Sequence, residues 1–191
     1  ILFTRRPSLN PFVPGAPKAE LWLNTGGPGF VAASAAQFPN FAAPWGRTFL
    51  RDLDADGDLD ALLAGSSING TAAPLVILWN DGSGSYTAAA TPAGLPTDFM
   101  DTEIGDFDGD GRPDFYGIGI FGNSAFSVVL LNSPTGFQPA ILSAAPSAIS
   151  ASFAFATAAV DADGDGTDEL LAAGMLFDIV GGGLGTMLQS T

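Results

Sequence analysis

An acidic nonapeptide occurs three times at nearly constant spacing. Asp52-Leu-Asp-Ala-Asp-Gly-Asp-Leu-Asp60 is followed by Asp106-Phe-Asp-Gly-Asp-Gly-Arg-Pro-Asp114 and by Asp161-Ala-Asp-Gly-Asp-Gly-Thr-Asp-Glu169, the starts lying 54 and 55 residues apart. Self-similarity at a fixed period is the mark of a repeat architecture, in which one supersecondary unit buries its apolar face against its neighbours. Each loop is followed by a short apolar run ending in Gly: Ala61 to Gly65, Phe115 to Gly119 and Leu170 to Gly174. Further on comes a second strand-like signature, at Val76–Asn80, Val128–Asn132 and Thr186–Gln189. In the first two, Gly and then an aromatic follow (Gly84 and Tyr86, Gly136 and Phe137), which reads as a hairpin turn.

Each unit therefore reads strand, acidic loop, strand, longer loop, strand, tight turn, strand, with no helical period. Four short strands in about 54 residues is the pattern of a propeller blade. The fold class expected is all-β, built of β-propeller blades of four antiparallel strands, about three and a half blades in 191 residues. An earlier copy of the second signature at Leu21–Asn24, with Gly29 and Phe30 after it, places the chain's opening inside a blade, and Thr191 closes it inside another. The expected divisions are a partial blade over 1–46 with a Pro-rich connector at 7–17, blades over 47–98 and 99–150, and an incomplete blade over 151–191. Unfinished blade edges are templates for pairing, so the expectation is an excerpt of a longer chain or edges completed between subunits.

Of the 20 acidic residues, five fall in 52–60, four in 106–114 and five in 161–169. Carboxylates about 5 Å apart repel by roughly 3 kcal/mol per pair at an effective dielectric of about 20, so a cation is needed to compensate. Carboxylates at loop positions one, three and five, Gly at six for a sharp turn, a backbone carbonyl at seven and a carboxylate at nine form a hard-oxygen set suited to Ca²⁺. The metal ligands expected are Asp52, Asp54, Asp56, Asp58 and Asp60 in the first loop, and Asp106, Asp108, Asp110, Arg112 and Asp114 in the second. In the third they are Asp161, Asp163, Asp165, Thr167 and Glu169, with Asp58, Arg112 and Thr167 acting through their carbonyls. An EF-hand would need Glu at position twelve, where Leu63, Gly117 and Ala172 stand, and Mg²⁺ prefers a stricter octahedron. About three Ca²⁺ sites follow, which would bring the formal charge from −14 to −8.

The motif Asp-x-Asp-x-Asp-Gly-x-x-Asp in a β context resembles the FG-GAP/VCBS family of calcium-binding propeller repeats, over about residues 19–191. It is similar to blades of the integrin alpha head and of many bacterial surface proteins. The resemblance implies a propeller, often seven-bladed, with Ca²⁺ in loops between the first two strands of a blade. This chain departs in having three loops and in carrying Glu169 at the ninth position of the third.

Composition narrows the function. There is no His and no Cys, so nucleophile systems built on imidazole or thiolate, and ordinary zinc, haem or iron–sulfur sites, are out of reach. A net charge of −14, with the six basic residues (Arg5, Arg6, Lys18, Arg47, Arg51, Arg112) forming no stripe, argues against nucleic acid and anionic membranes. The charge-free stretch Phe115–Val160 is interrupted by Pro134, Pro139 and Pro146 and reads as strands and turns, not as a membrane span.

Other signals have plain readings. Gly117-Ile-Gly-Ile-Phe-Gly122 matches a dinucleotide-site string but no helix signature follows, so a blade turn is expected; Gly181–Gly185 reads as a turn too. Asp101 and Glu103 are spaced like a glycosidase pair on one strand face, but the ordinary reading is solvated strand-end charge. Asn69-Gly-Thr71 is a glycosylation sequon. The function expected is a non-enzymatic, extracellular or cell-surface calcium-binding module for adhesion or ligand binding. Its partner would be a protein or glycan ligand, or copies of itself, with no nucleic acid and no membrane insertion. The alternatives are a subunit of a surface filament or sheath joined through blade edges, and a non-catalytic part of a secreted hydrolase or lyase.

Overall fold

The computed structural model describes residues 2–4, 19–39, 46–65, 75–89, 92, 95, 99–121, 124–138, 141–144, 152–177 and 184–190. The Pro-rich segment 7–17, Trp45, the sequon at Asn69, Gly122 and residues 181–183 lie outside them. The described residues are all-β, and they divide into two compact units, Ile1–Thr91 and Pro92–Thr191.

The first unit holds two antiparallel sheets. One is β1 (Leu2–Thr4), β2 (Ala19–Asn24) and β3 (Phe30–Ala32), in chain order. The other is β4 (Gly46–Arg51), β5 (Asp60–Gly65), β6 (Val76–Asn80) and β7 (Tyr86–Ala88), each strand bonded to the next. Register is set by the hairpins: Arg51 faces Asp60 across the acidic loop, and Asn80 faces Tyr86 across the tight turn. Every residue of β5 is buried, because this interior strand packs on both faces. Ala61 and Leu63 point to one side, where they join Leu78, Tyr86, Phe38 and the β2 residues Ala19 and Leu21 in a single cluster. Phe38 meets the Tyr86 ring edge-on, centroids 5.5 Å apart, and the Tyr86 N–H donates to the Gln37 carbonyl at 2.7 Å.

The second unit repeats the scheme. Strands β8 (Phe99–Gly105), β9 (Asp114–Phe121), β10 (Ser124–Leu130) and β13 (Ile141–Ala144) make a four-stranded antiparallel sheet. Between the last two lies a ribbon of β11 (Asn132–Ser133) and β12 (Gly136–Phe137). Strands β14 (Ser152–Val160), β15 (Glu169–Phe177) and β16 (Leu184–Ser190) form a three-stranded sheet, with β14 beside β8.

Two expectations are corrected here. Gly117 and Gly119 do not form a turn but sit inside β9, which pairs with β10 from Phe115 to Phe121 in a longer hairpin than the first repeat has. The reason is packing: a Cβ on Gly117 would lie 2.5 Å from the Phe99 ring, which meets Phe115 edge-on at 5.5 Å. Asp101 is not a solvated strand-end charge either. It is 7% exposed, beside an irregularity in the β8–β9 pairing, and its Oδ2 accepts hydrogen bonds from both the N–H and the hydroxyl of Thr157 on β14.

Candidate metal centres

The three acidic loops occupy equivalent places, joining β4 to β5, β8 to β9 and β14 to β15. Their internal bonding is nearly identical. The position-one carboxylate folds the loop over itself: Asp52 accepts the N–H groups of Asp56 (3.2 Å) and Gly57 (3.0 Å). Asp106 accepts those of Gly109 (2.8 Å), Asp110 (3.1 Å) and Gly111 (2.7 Å), and Asp161 those of Gly164 (2.7 Å), Asp165 (3.1 Å) and Gly166 (3.1 Å). Position three (Asp54, Asp108, Asp163) accepts the N–H of position five at 3.2 Å in each loop. Position five (Asp56, Asp110, Asp165) accepts the N–H of position seven (Asp58, Arg112, Thr167) at 2.8 to 2.9 Å.

This winding requires left-handed backbone at position six, where Gly stands in all three loops, and also at position four. Gly109 has φ 75° and Gly164 has φ 82°, but the first loop carries Ala55 at φ 66°. Position four was not singled out from the sequence, although Gly in two of three copies was the available sign.

The ninth residue does something the spacing alone did not reveal. Asp60 and Asp114 are fully buried at the start of the second strand. Asp60 Oδ2 accepts the Leu53 N–H (2.9 Å) and Oδ1 the Asn80 N–H (2.8 Å); Asp114 does the same with Phe107 (2.9 Å) and Asn132 (2.7 Å). Each carboxylate thus ties its loop to a distant strand, Asp60 to the end of β6 at Asn80 and Asp114 to the start of β11 at Asn132. Glu169 reaches the same loop atom, with Oε2 accepting the Ala162 N–H at 2.9 Å, so the longer side chain is accommodated. The hairpin turn adds a further tie in the first repeat, where the Tyr86 hydroxyl (2.9 Å) and Asn80 Nδ2 (3.2 Å) both donate to the Leu59 carbonyl.

Among the described residues, three acidic groups each bring three carboxylate oxygens within 4.8 Å of one another: Asp52, Asp54 and Asp60; Asp106, Asp108 and Asp114; Asp161, Asp163 and Glu169. Two oxygens that share a cation at about 2.4 Å are at most about 4.8 Å apart, so the donor set fits a hard cation. These are positions one, three and nine of the expected set. Asp56, Asp110 and Asp165 lie outside the three-oxygen groups, and Asp58, Arg112 and Thr167 enter the bonding through their N–H groups. Burial pushes the Asp60 carboxyl up, and that of Asp114 up to about 6, against the opposing pull of their backbone N–H donors and with help from the charges at positions three and five. A cation would supply the missing positive charge.

Fold and site together define an all-β repeat protein whose hairpin loops carry acidic clusters able to hold metal ions. Residues 52–117, a stretch that runs from the first acidic loop through the second into β9, match the family model described as FG-GAP-like repeat, consistent with an FG-GAP-type repeat family. The chain has no match among curated proteins or solved structures. Among the described residues, no helix is long and apolar enough to cross a membrane.

Proposed function

We propose that the chain is a segment of a calcium-loaded β-propeller, found outside the cell or on its surface, that binds a protein or glycan ligand and catalyses no reaction. The observation that carries this reading is the threefold recurrence of one loop, with carboxylates of positions one, three and nine converging at the same point of each β-hairpin. Ca²⁺ is favoured over Mg²⁺ because each loop offers several carboxylates, and Ca²⁺ takes six to eight oxygens in adaptable geometry whereas Mg²⁺ demands a near-ideal octahedron and keeps several waters. Loops of this kind, without a bidentate Glu at position twelve, suit the weak range of about 10⁻⁴ to 10⁻³ M, which fits extracellular calcium. The four-stranded sheets β4–β7 and β8–β9–β10–β13 serve as blades in this reading, with the loops between their first two strands bearing the cations.

The test is calorimetric titration of the chain with CaCl₂ and with MgCl₂, alongside a variant with Asp54→Asn, Asp108→Asn and Asp163→Asn. About three calcium ions should bind the unaltered chain, with weaker magnesium binding and none to the triple variant. Calcium heats equal in both chains would overturn the assignment. Calcium-dependent retention on glycan or protein arrays, abolished by EGTA, then tests the binding role.

A further inference from the structure

We propose that Asp168 is a positioning residue that couples the second and third acidic loops, so that a cation held at 161–169 tightens cation binding at 106–114. The proposal rests on the reading of these loops as cation sites. Asp168 stands at loop position eight, where the other loops carry Leu59 and Pro113, neither of which has a side-chain acceptor. Its Oδ2 accepts the Asp106 N–H at 2.8 Å, and its own N–H donates to the Asp106 carbonyl at 2.7 Å. One residue thereby takes both backbone polar groups of the residue that opens the second loop. Asp106 is the organiser of that loop, since its carboxylate accepts three loop N–H groups and supplies an oxygen to the second acidic cluster.

The approach is close. A Cβ on Gly105 would lie 2.6 Å from Ala159 Cβ and 2.8 Å from Asp168 Oδ2, so only glycine leaves room for the contact. The Thr167 hydroxyl stands 3.1 Å from where a Cβ of Gly109 would be, which brings position seven of the third loop against position four of the second. On the other side of Asp168 is Glu169, a member of the third cluster that also accepts the Ala162 N–H. A cation that orders the third loop therefore orders Asp168, and through it Asp106. Coupling of this kind is reciprocal by thermodynamic necessity.

The experiment is a calcium titration of the full chain labelled with ¹⁵N-glycine, in which Gly109 and Gly111 report the second loop and Gly164 and Gly166 the third. Asp163→Asn, at an exposed position, should raise the calcium midpoint read at Gly111 by about fivefold or more. In an Asp168→Ala background the same substitution should move it by less than about twofold, whereas Asp168→Asn, which keeps an oxygen for the Asp106 N–H, should preserve the coupling. Asp108→Asn should likewise raise the Gly166 midpoint, a check that needs no change at Asp168. Gly111 and Gly166 midpoints that are both indifferent to the substitution in the other loop, or an equal shift in the Asp168→Ala background, would overturn the coupling. Glycine amides that do not respond to calcium at all in the unaltered chain would overturn the cation reading, and the coupling with it.

Discussion

Single carboxylates in the loops divide into two kinds with different expected behaviour. Asp54 is exposed and accepts the Asp56 N–H of its own loop at 3.2 Å, whereas Asp60 is fully buried between two backbone N–H groups. Asp54→Asn should leave the melting temperature of the metal-free chain almost unchanged while weakening calcium binding. Asp60→Asn turns one acceptor into a donor facing a backbone N–H, and should cost about 1–3 kcal/mol by denaturant titration even without metal. Asp114 adds a pH signature. Its folded-state pKa of about 6 lies above the ordinary 3.8, so its contribution to the metal-free fold is fully present below the ordinary value and is lost as pH rises through 6. Calcium-stripped chain should therefore be more stable at pH 5 than at pH 7, by a margin that shrinks in Asp114→Asn, while calcium affinity should change in the opposite sense. Ala55, held at φ 66° where the other loops have Gly, is a locally strained site. Ala55→Gly should raise the stability of the metal-free chain by up to about 1 kcal/mol, because left-handed backbone costs an L-residue about 1–2 kcal/mol and glycine's extra unfolded-state entropy offsets part of the gain.

At the scale of strands and hairpins, β9 is the element most sensitive to volume. Gly117 makes room for the Phe99 ring against Phe115, so Gly117→Val should destabilise the chain by about 1–3 kcal/mol through overpacking, read as a lowered denaturation midpoint with unchanged slope. The β6–β7 hairpin is held differently. Asp81 Oδ1 accepts the Ser83 N–H and hydroxyl and the Ser85 N–H, which hold its carboxyl below the usual range, so this turn loses support only as pH falls below the ordinary Asp value. Tyr86→Phe removes the hydroxyl that reaches the Leu59 carbonyl and should cost about 1 kcal/mol, leaving the ring packing on Phe38 intact. These elements were legible in advance where punctuation was strong: the acidic loops, the Gly-then-aromatic turn, and the strands at Val76–Asn80 and Leu21–Asn24. The long β9–β10 hairpin was not, because a glycine within a strand and a glycine in a turn look alike until the neighbouring ring that needs the space is known.

Taken as a whole, the described strands form antiparallel meanders whose loops concentrate most of the chain's negative charge, so a cation held in those loops would be linked to folding. Ions bound to the native loops and not to the unfolded chain stabilise by mass action. Saturating calcium should raise the melting temperature and EGTA should lower it, with the largest difference at low ionic strength, where repulsion between the loop carboxylates is least screened. Equal melting in both conditions would separate the loops from the stability of the fold.

The nonapeptide and its period were enough to establish an all-β repeat protein with three acidic loops, because a turn dense in Asp and Gly between short apolar runs admits few other folds. The spacing offered positions one, three, five, seven and nine as ligands, of which the structure brings the carboxylates of one, three and nine within 4.8 Å of one another. What it could not distinguish was which carboxylates face solvent and which are struts. Asp60 and Asp114 read like their neighbours in the chain, yet they are buried because Asn80 and Asn132, many residues further on, present N–H groups to them. The same holds for Asp101 and Asp168. Their roles depend on Thr157 and Asp106, partners brought within hydrogen-bonding distance only when β14 lies beside β8. Local pattern determines which groups a chain offers, and tertiary contact decides what each of them meets, since desolvation and hydrogen bonding are properties of the surroundings and not of the residue.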